Sequence, residues 1–302
     1  MSQICAERVV IVTGAGRGIG RAHALEFATQ GARVVVNDVG AARDGGGEDG
    51  AAAEAVVAEI RALGGEAIAN TSDIADWEAA GSLIRDAVEA FGRLDVLVNN
   101  AGILRDRMFV NATVEEWDAV MRVHLRGHFC PARHAANYWR ERAKTGQSVD
   151  ARIINTSSQS GLHGSVGQIG YAAAKAGIAS MTLVQAAELA RYGVTANAVA
   201  PVARTRMTED VFSELVQAPE SGFDTYAPEN VSPLVTWLGS AESSHVTGRV
   251  FEVHGGVISV ADGWRRGAQV DKGARWSPGE VGAAVDDVLE RADGPVPVHG
   301  TR

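Results

Sequence analysis

Short runs of aliphatic and β-branched residues alternate with longer alanine-rich segments along residues 8–256. In the short runs Val and Ile follow one another with little polar interruption, which is typical of parallel strands covered by helices on both faces. These runs predict seven strands, at residues 8–14, 32–39, 65–73, 94–102, 151–158, 193–201 and 248–256.

The segments between the strands have the length and composition of helices. Strands that alternate with helices predict a doubly wound, Rossmann-like α/β fold with a seven-stranded parallel sheet in a single domain. The helices are predicted at residues 18–30, 51–63, 76–91, 113–140, 170–191 and 228–239.

Two stretches depart from this alternation. Residues 40–52 are glycine-rich and acidic, which predicts a mobile surface loop after the second strand. Residues 261–302 follow the last strand, and SPGEVGAAVDDVLERA (277–292) within them predicts one helix with a Ser/Pro start. We therefore expect a main domain, 1–260, and a C-terminal extension, 261–302, that covers a substrate cleft or contacts another subunit.

Composition and charge narrow the possible partners. The chain is 46% hydrophobic and 22% charged, which is ordinary globular usage, and its net charge of −9 disfavours nonspecific binding to nucleic acid or anionic membranes. No run reaches the ~18 apolar residues of a membrane span. Cys5 and Cys130 have no metal-like spacing, and the N-terminus lacks a signal-peptide pattern. We expect a cytoplasmic protein without a metal site.

A glycine-rich turn, TGAGRGIG at residues 13–20, lies between the first strand and the first helix. It does not meet the strict G-x-G-x-x-G spacing, but it fits T-G-x-x-x-G-x-G through Thr13, Gly14, Gly18 and Gly20. Glycines let the backbone approach a pyrophosphate at a helix N-terminus, where free N–H groups favour anions. A mere tight turn is the alternative, and the strand–turn–helix context disfavours it.

Asp38 ends the second strand, near the spacing expected of a carboxylate that binds the ribose hydroxyls of NAD. Its charge would repel a 2′-phosphate by roughly 1–4 kcal/mol at contact distance. Arg17 would attract that phosphate, but we expect the carboxylate to prevail, since it also occupies the space. NAD is therefore predicted as the cofactor, with NADP less favoured, unless Asp38 is an ordinary strand-end aspartate.

Five elements, taken in order, resemble the short-chain dehydrogenase/reductase family. They are TGAGRGIG (13–20), Asp73, NNAG (99–102), Ser158 and Tyr171-x-x-x-Lys175. The resemblance implies that domain 1–260 is an oxidoreductase that interconverts secondary alcohols and ketones with NAD(P). It also implies that Asp73 binds the adenine amino group and that Asn99 braces the sheet. The NAD-binding residues that it implies are Thr13, Gly14, Arg17, Gly18, Ile19, Gly20, Asp38, Asp73, Ile74, Asn100, Ala101, Gly102, Tyr171, Lys175 and Pro201.

Tyr171 and Lys175 are four residues apart, so their side chains share one helix face. A free tyrosine has a pKa of about 10, too high for a base at neutral pH, and we expect the Lys175 ammonium and an oxidised nicotinamide to lower it. By resemblance, Tyr171 is the catalytic acid/base, Lys175 also binds the nicotinamide ribose, and Ser158 holds the substrate oxygen. Taken alone, the pair would be incidental on an exposed helix; Ser158 and the nucleotide turn favour catalysis.

His124 stands where many family members have an asparagine that helps to hold a water connected to the catalytic lysine. Two interpretations stay open for it: a catalytic member of a proton relay, or a packed core histidine. Pro201-Val202 likewise replaces the usual Pro-Gly near the nicotinamide.

Three longer segments resemble one branch, the (3R)-hydroxyacyl-CoA dehydrogenase modules of multifunctional enzyme type 2 (17β-hydroxysteroid dehydrogenase type 4). They are NNAGILRDRMF (99–109), RVHLRGHF (122–129) and TSSQSGLHGSVGQIGYAAAKAG (156–177). This resemblance implies a 3-hydroxyacyl-CoA substrate with a fatty-acyl or sterol side chain. Coenzyme A phosphates would have six arginines as candidate ligands: Arg105, Arg107, Arg122, Arg126, Arg204 and Arg206. The alternative for each of them is a solvated or paired surface arginine.

Alternatives to this function are a hydroxysteroid dehydrogenase, a polyol oxidoreductase and, from another class, a non-catalytic NAD-binding regulator or scaffold. The family resemblance also implies a homodimer or homotetramer. Its contacts would run through helices 113–140 and 170–191 and through the final strand.

Overall fold

The computed structural model describes residues 3–40, 50–204, 217–261, 263–294 and 296–301. Within these ranges eight strands form one sheet in the order β3-β2-β1-β4-β5-β6-β7-β8. The first seven strands are parallel, and β8 pairs antiparallel with β7. The strands are β1 (Val9–Thr13), β2 (Arg33–Asn37), β3 (Ala67–Asn70), β4 (Val96–Asn99), β5 (Ala151–Thr156), β6 (Val194–Val202), β7 (Val250–His254) and β8 (Val257–Ala261).

Helices separate most of the strands, as the alternating pattern predicts. The α-helices of the described ranges are α1 (Gly18–Thr29), α2 (Ala51–Ala62), α3 (Trp77–Phe91), α4 (Val114–Met121), α5 (Gly127–Lys144), α6 (Gln159–His163), α7 (Ile169–Leu189), α8 (Ser232–Gly239) and α9 (Pro278–Glu290). Single 3-10 turns lie at Phe109–Asn111, Ala190–Tyr192 and Pro228–Val231.

The doubly wound fold and the seven parallel strands are confirmed, and β8 is the strand that the sequence pattern did not indicate. His254 and Val257 pair across a two-residue turn made of Gly255 and Gly256. A Gly-Gly pair between two apolar runs favours a tight hairpin, because glycine tolerates the positive φ that such a turn needs, and Gly255 has φ +54. The two glycines mark a hairpin rather than the end of the sheet.

The helix predicted at 113–140 consists of three segments. It begins at Thr113, whose hydroxyl accepts from the Glu116 N–H while the Glu116 carboxylate accepts from the Thr113 N–H. A π-helical segment, Arg122–Arg126, then separates α4 from α5. A π-helical turn keeps the chain helical while shifting the hydrogen-bond register, so apolar periodicity alone does not reveal it.

The core lies on both faces of the sheet, because alternate residues of each strand point to opposite sides. Val10 and Val12 of β1 belong to the cluster with α1, α2 and α8, whereas Val9 and Ile11 belong to the cluster with α3, α5 and α7. With both faces covered, a ligand reaches the sheet at the carboxyl ends of the parallel strands.

The C-terminal extension contains the predicted helix. Ser277 precedes α9 and forms a capping box with Glu280, as the Ser/Pro start indicates. Most of the predicted loop 40–52, residues 41–49, lies outside the described residues. In the ranges that the structure describes, none of the helices combines the length and apolarity needed to cross a membrane.

Candidate active site

The turn between β1 and α1 forms a cradle without side chains. Gly14 has φ +63, and a Cβ atom there would lie 2.7 Å from the Cα of Ala101. A Cβ atom on Gly20 would lie 2.1 Å from the Gly14 carbonyl oxygen. No larger residue fits these two positions, and the first N–H groups of α1 stay open to an anion. The cradle fits the pyrophosphate of a dinucleotide.

The loop after β4 is tied to this turn. The amide N–H of Asn100 donates to Thr13 Oγ1 at 2.9 Å, and the Asn100 side chain donates to the Thr13 carbonyl at 3.0 Å. Ala101 N–H also donates to Thr13 Oγ1, at 3.2 Å. Asn99, one residue earlier, donates to Asn155 Oδ1 at 3.0 Å, which confirms its role as a brace between β4 and β5.

Asp38, which follows β2, lies beside the glycine-rich turn between β1 and α1. Its Oδ2 accepts from Gly16 N–H at 2.8 Å, and its Oδ1 accepts from Gly40 N–H at 2.7 Å. Both carboxylate oxygens are therefore held by backbone amides, and the negative charge faces the region next to Gly16. Arg17, which would attract a 2′-phosphate, is exposed.

Asp73 and Ile74 lie on the turn after β3. Asp73 Oδ1 accepts from Ala75 N–H at 2.8 Å, and Asp73 Oδ2 accepts from Arg122 Nη2 at 2.5 Å. Ile74 is buried, at 5% exposure. The structure therefore places Asp73 at the same end of the sheet as Asp38 and the glycine turn, where parallel strands present ligands. Pro201 lies near the end of β6, opposite Val253 of β7.

Ser158, Tyr171 and Lys175 converge at the end of β5. Ser158 lies two residues after this strand and caps α6, since its Oγ accepts from Ser160 N–H at 3.2 Å. Lys175, 2% exposed, donates from Nζ to the Thr156 carbonyl at 2.6 Å. Its Nζ lies 5.5 Å from the centre of the Tyr171 ring. The Ser157 hydroxyl donates to the Lys175 carbonyl at 2.8 Å, which fixes α7 against β5.

Burial dominates the pKa values of Tyr171 and Lys175. In the chain alone, burial raises the pKa of Tyr171 to about 12, and a hydrogen bond with the Ser158 side chain acts in the opposite direction. Burial also lowers the pKa of Lys175 to about 7. Without nucleotide, desolvation of the phenolate dominates this pKa of Tyr171; that Lys175 and an oxidised nicotinamide together lower it stays a prediction for the protein with its cofactor bound.

His124 is buried between the catalytic helix and the loop after β4. Its Nε2 lies 2.8 Å from the Ile103 carbonyl oxygen and 3.1 Å from the Ile103 amide nitrogen. The His124 ring meets the Tyr171 ring edge to face, with centroids 5.2 Å apart. Burial lowers the pKa of His124 to about 3, so the imidazole is neutral. A Cβ atom on Gly102 would lie 2.5 Å from His124 Cε1, so this histidine requires the glycine.

Residues 163–168 form the outer side of the site, between Ser158 and Tyr171. Gly167 accepts from the Arg107 N–H at 2.7 Å, and Gln168 donates to Asp106 Oδ2 at 3.0 Å. On the other flank, Val166 N–H donates to the His299 carbonyl at 2.9 Å. The sequence patterns did not indicate Gln168 or His299 as residues next to the site. Gln168 stands at the N-cap of α7, a position that could have drawn notice; nothing in the sequence relates His299 to Val166.

The arginines proposed for coenzyme A have other partners. Arg107 pairs with Glu116, Arg204 with Asp224 and Arg126 with the Ala75 carbonyl. Arg105 donates to the Leu104 carbonyl, and Arg122 pairs with Asp73, as described. Arg206 lies outside the described residues. These five arginines therefore have partners within the chain, as the alternative of paired surface arginines predicts, and their binding of coenzyme A stays a prediction.

The chain is similar to known dehydrogenases over most of its length. The family model described as short chain dehydrogenase matches residues 8–215. A hydroxyacyl-CoA dehydrogenase of Mycobacterium tuberculosis is 46% identical over 95% of this chain and 90% of its own length. Peroxisomal multifunctional enzyme type 2 of Mus musculus is 47% identical over 83% of this chain, which spans 32% of that protein.

A solved structure gives the same picture. The crystal structure of a short chain dehydrogenase from Mycobacterium avium is 60% identical, with a TM-score of 0.88 over 99% of this chain and 100% of that one. The family match, the identities and the fold agree with the glycine cradle and with the grouping of Ser158, Tyr171 and Lys175. The chain belongs to the short-chain dehydrogenase family and is an oxidoreductase that acts on CH–OH groups with NAD(P).

Proposed function

We propose that this protein oxidises the secondary alcohol of a 3-hydroxyacyl-CoA, with a fatty-acyl or sterol side chain, and that NAD is its cofactor. The observation that carries the chemistry is that Tyr171 hydrogen-bonds the Ser158 side chain and lies beside Lys175, whose Nζ contacts the Thr156 carbonyl at the end of β5. The substrate class rests on similarity to the hydroxyacyl-CoA dehydrogenase of Mycobacterium tuberculosis, which covers both chains almost fully.

The proposed nucleotide site extends along the carboxyl edge of β1, β2, β3 and β4. The amides around Gly14, Gly18 and Gly20 would hold the pyrophosphate, with Thr13, Arg17 and Ile19 beside them, and Asn100, Ala101, Gly102 and Pro201 would line the nicotinamide side. Asp38 would bind the ribose hydroxyls; because backbone amides fix both of its oxygens, its carboxylate stays where a 2′-phosphate would have to lie. That arrangement supports NAD over NADP.

In the proposed mechanism Tyr171 Oη accepts the proton of the substrate hydroxyl, while Ser158 Oγ holds the substrate oxygen by a hydrogen bond. NAD⁺, when bound, supplies the hydride acceptor. A positive charge on Lys175 Nζ favours the phenolate form of Tyr171, and the fixed contact with the Thr156 carbonyl keeps that ammonium in place. Lys175 would also bind the nicotinamide ribose.

His124 acts in this proposal as a positioning residue rather than as a proton carrier. Its Nε2 contacts both main-chain groups of Ile103, next to the NNAG loop. A neutral imidazole with a pKa of about 3 is a poor site for a proton in transit. The histidine is better suited to holding the loop against the catalytic helix.

We also propose that the protein forms a homodimer or a homotetramer. Phe129 on α5 and Leu183 and Val184 on α7 are 48%, 51% and 52% exposed, and Val257 on the free edge strand β8 is 64% exposed. Exposed apolar residues on the predicted contact elements support association through them. In the extension, the contact between His299 and Val166 supports a role in covering the substrate cleft. Both cysteines are free thiols, which fits a reducing compartment; cytoplasmic localisation stays a prediction.

A spectrophotometric assay of NADH formation tests the proposal. The panel contains both enantiomers of short, medium and long 3-hydroxyacyl-CoAs, a set of hydroxysteroids and simple polyols, each with NAD⁺ and with NADP⁺. We expect the highest kcat/KM for an acyl-CoA with NAD⁺. Activity on steroids but not on acyl-CoAs would replace the substrate class, and NAD binding without turnover of any alcohol would favour the scaffold alternative.

A further inference from the structure

The π-helical segment Arg122–Arg126 holds the turn that follows β3. Arg122 Nη2 contacts Asp73 Oδ2 at 2.5 Å, and Arg126 Nε donates to the Ala75 carbonyl at 2.7 Å. The buried Ile74 lies between these contacts, and a Cβ atom on Gly127 would lie 2.9 Å from its Cδ1. Residues 122–127 therefore contact three successive residues of a turn that is distant in sequence, at positions 73, 74 and 75.

These contacts fix the orientation of the Asp73 carboxylate. Arg122 holds Oδ2, and the Ala75 N–H holds Oδ1 at 2.8 Å. An ionised carboxylate accepts about four hydrogen bonds, so these two contacts leave acceptor positions free. They also select one rotamer, because a rotation about the side-chain torsions would break both contacts. Asp73 is thus a preorganised acceptor at the edge of the sheet.

Stability does not explain the ion pair. The Arg122 and Asp73 side chains are 50% and 40% exposed. Exposed pairs of this kind contribute little to the free energy of folding, because water screens them and two side chains lose conformational freedom. The ion pair adds little stability, but it fixes the carboxylate of Asp73, a proposed cofactor ligand. The binding of the cofactor by Asp73 therefore explains the pair better than stability does.

We propose that Arg122 is a positioning residue that fixes the Asp73 carboxylate for the 6-amino group of adenine, and so makes the nucleotide site select that base. The inference rests on the proposed function, because it requires NAD at this edge of the sheet with Asp73 on the base. It assigns Arg122 to nucleotide recognition instead of coenzyme A binding.

The chemistry of the base provides a direct probe. Adenine presents an amino donor at position 6, whereas hypoxanthine presents a carbonyl acceptor there. A carboxylate locked in one orientation accepts from the amino group and repels the carbonyl oxygen, whereas a mobile carboxylate turns away from the carbonyl at little cost. Fixing Asp73 therefore increases the preference for NAD over nicotinamide hypoxanthine dinucleotide.

The experiment measures Kd by calorimetry for both dinucleotides on the full chain. Arg122→Met should weaken NAD binding about two- to fivefold, a range set by the strength of exposed ion pairs, and change binding of the hypoxanthine analogue less. Arg122→Lys should restore part of the preference, since it keeps the charge. Arg133→Met is the matched control: Arg133 is exposed on α5 and forms no ion pair with any residue that the structure describes.

A double substitution shows whether Arg122 acts through Asp73. In an Asp73→Asn background, removal of Arg122 should cause no further loss of preference, because the carboxylate that it positions is gone. Equal losses from Arg122→Met with and without Asp73 would overturn the inference. An unchanged preference in Arg122→Met, or a raised KM for acyl-CoA in place of a raised Kd for NAD, would also overturn it.

The proposed function and the inference fail in different ways. Wild-type protein that binds neither dinucleotide would overturn the proposed cofactor and the inference with it, whereas wild-type protein that binds both equally would remove Asp73 from the base and overturn the inference alone. Wild-type protein that prefers NAD, with Arg122→Met retaining the full preference, would leave the proposed function in place and overturn the inference alone. Circular dichroism and thermal melting of each variant confirm that the changes in Kd come from folded protein.

Discussion

The two walls of the active site are built in different ways. The inner wall consists of Ser158, Tyr171 and Lys175, which lie within 18 residues of chain and are fixed by β5 and α7, with Lys175 only 2% exposed. The outer wall, residues 163–168, depends on backbone contacts with two residues that are distant in sequence, Arg107 and His299. Val166, in the middle of the outer wall, is 45% exposed.

We infer from this difference that the inner wall carries out the proposed proton transfer and that the outer wall contacts the substrate chain. The inner wall needs accurate placement of a proton acceptor, which a buried helix and strand provide. The outer wall needs only to present a surface to the substrate, and its contacts come from chain segments whose sequences can vary without disturbing the catalytic helix. Substitutions in the two walls should therefore affect different kinetic constants.

The largest expected effect comes from Tyr171→Phe in the inner wall. Removal of the hydroxyl takes away the group that accepts the substrate proton, and general acid–base catalysis contributes about 10²–10⁴-fold. We expect kcat to fall by about 10³-fold, with a much smaller change in the Kd for NAD, because the ring still packs beside His124. Steady-state kinetics with the best acyl-CoA measure the first quantity, and calorimetry measures the second.

Tyr192→Phe is the matched control for this substitution, since Tyr192 lies in the 3-10 turn after α7, away from the inner wall. Its kcat should equal that of the wild type. If Tyr171→Phe retained more than about one tenth of the wild-type kcat, another group would have to accept the proton.

A second prediction concerns the charge of Lys175. Burial lowers its pKa from 10.5 to about 7, so between these values the unfolded chain binds more protons than the folded chain. The free energy of unfolding, without nucleotide, should therefore increase with pH above 7, with a contribution from this group of at most about 1.4 kcal/mol per pH unit. Below pH 7 both states are protonated, and the full cost of burying the charge is present.

Urea unfolding at pH 7 and at pH 8.5 measures this contribution as the difference between the wild type and Lys175→Met. The two proteins share every other titrating group, so the remaining pH dependence cancels in the difference. A Lys175→Met protein whose stability changes with pH as steeply as that of the wild type would show that this lysine keeps its ordinary pKa in the folded chain.

The inner wall is also the part of the site that the sequence predicts best. The spacing of Tyr171 and Lys175, the strand before Ser158 and the glycine turn are local features, because each depends on residues adjacent along the chain. The seven parallel strands are predicted for the same reason: each is a continuous apolar run.

What the sequence did not predict depends on contacts between distant residues. The pKa of Tyr171 follows from burial, which no spacing along α7 reveals. Arg122 looks like a phosphate ligand until Asp73, 49 residues earlier, is seen to accept from it. The contact of His299 with Val166 joins segments that are further apart still, through backbone atoms that carry no side-chain signal.

The smallest predicted effect is on the outer wall, where the chain end is removed. Deletion of residues 296–302 takes away the hydrogen bond from Val166 N–H to the His299 carbonyl, at 2.9 Å, and the one from His299 N–H to the Gly164 carbonyl, at 3.3 Å. Hydrogen bonds contribute about 0.5–1.5 kcal/mol each, so we expect KM for a long acyl-CoA to rise about fivefold. The Kd for NAD should not change, because the proposed pyrophosphate, ribose and adenine ligands lie in the turns that follow β1, β2 and β3, apart from the outer wall.

Deletion of Arg302 alone is the control, since it leaves the segment from Val296 to Thr301 intact. Short substrates separate a specific effect from general damage: the hydrogen bonds of His299 go to residues 164 and 166 of the outer wall, so KM for a short 3-hydroxyacyl-CoA should rise less than KM for a long one. An equal rise for both lengths, or a weaker affinity for NAD, would mean that the two walls are coupled and that the chain end supports the inner wall as well. A selective rise for long substrates would support the proposal that the outer wall, and not α7 with Tyr171 and Lys175, determines the preferred length of the acyl chain.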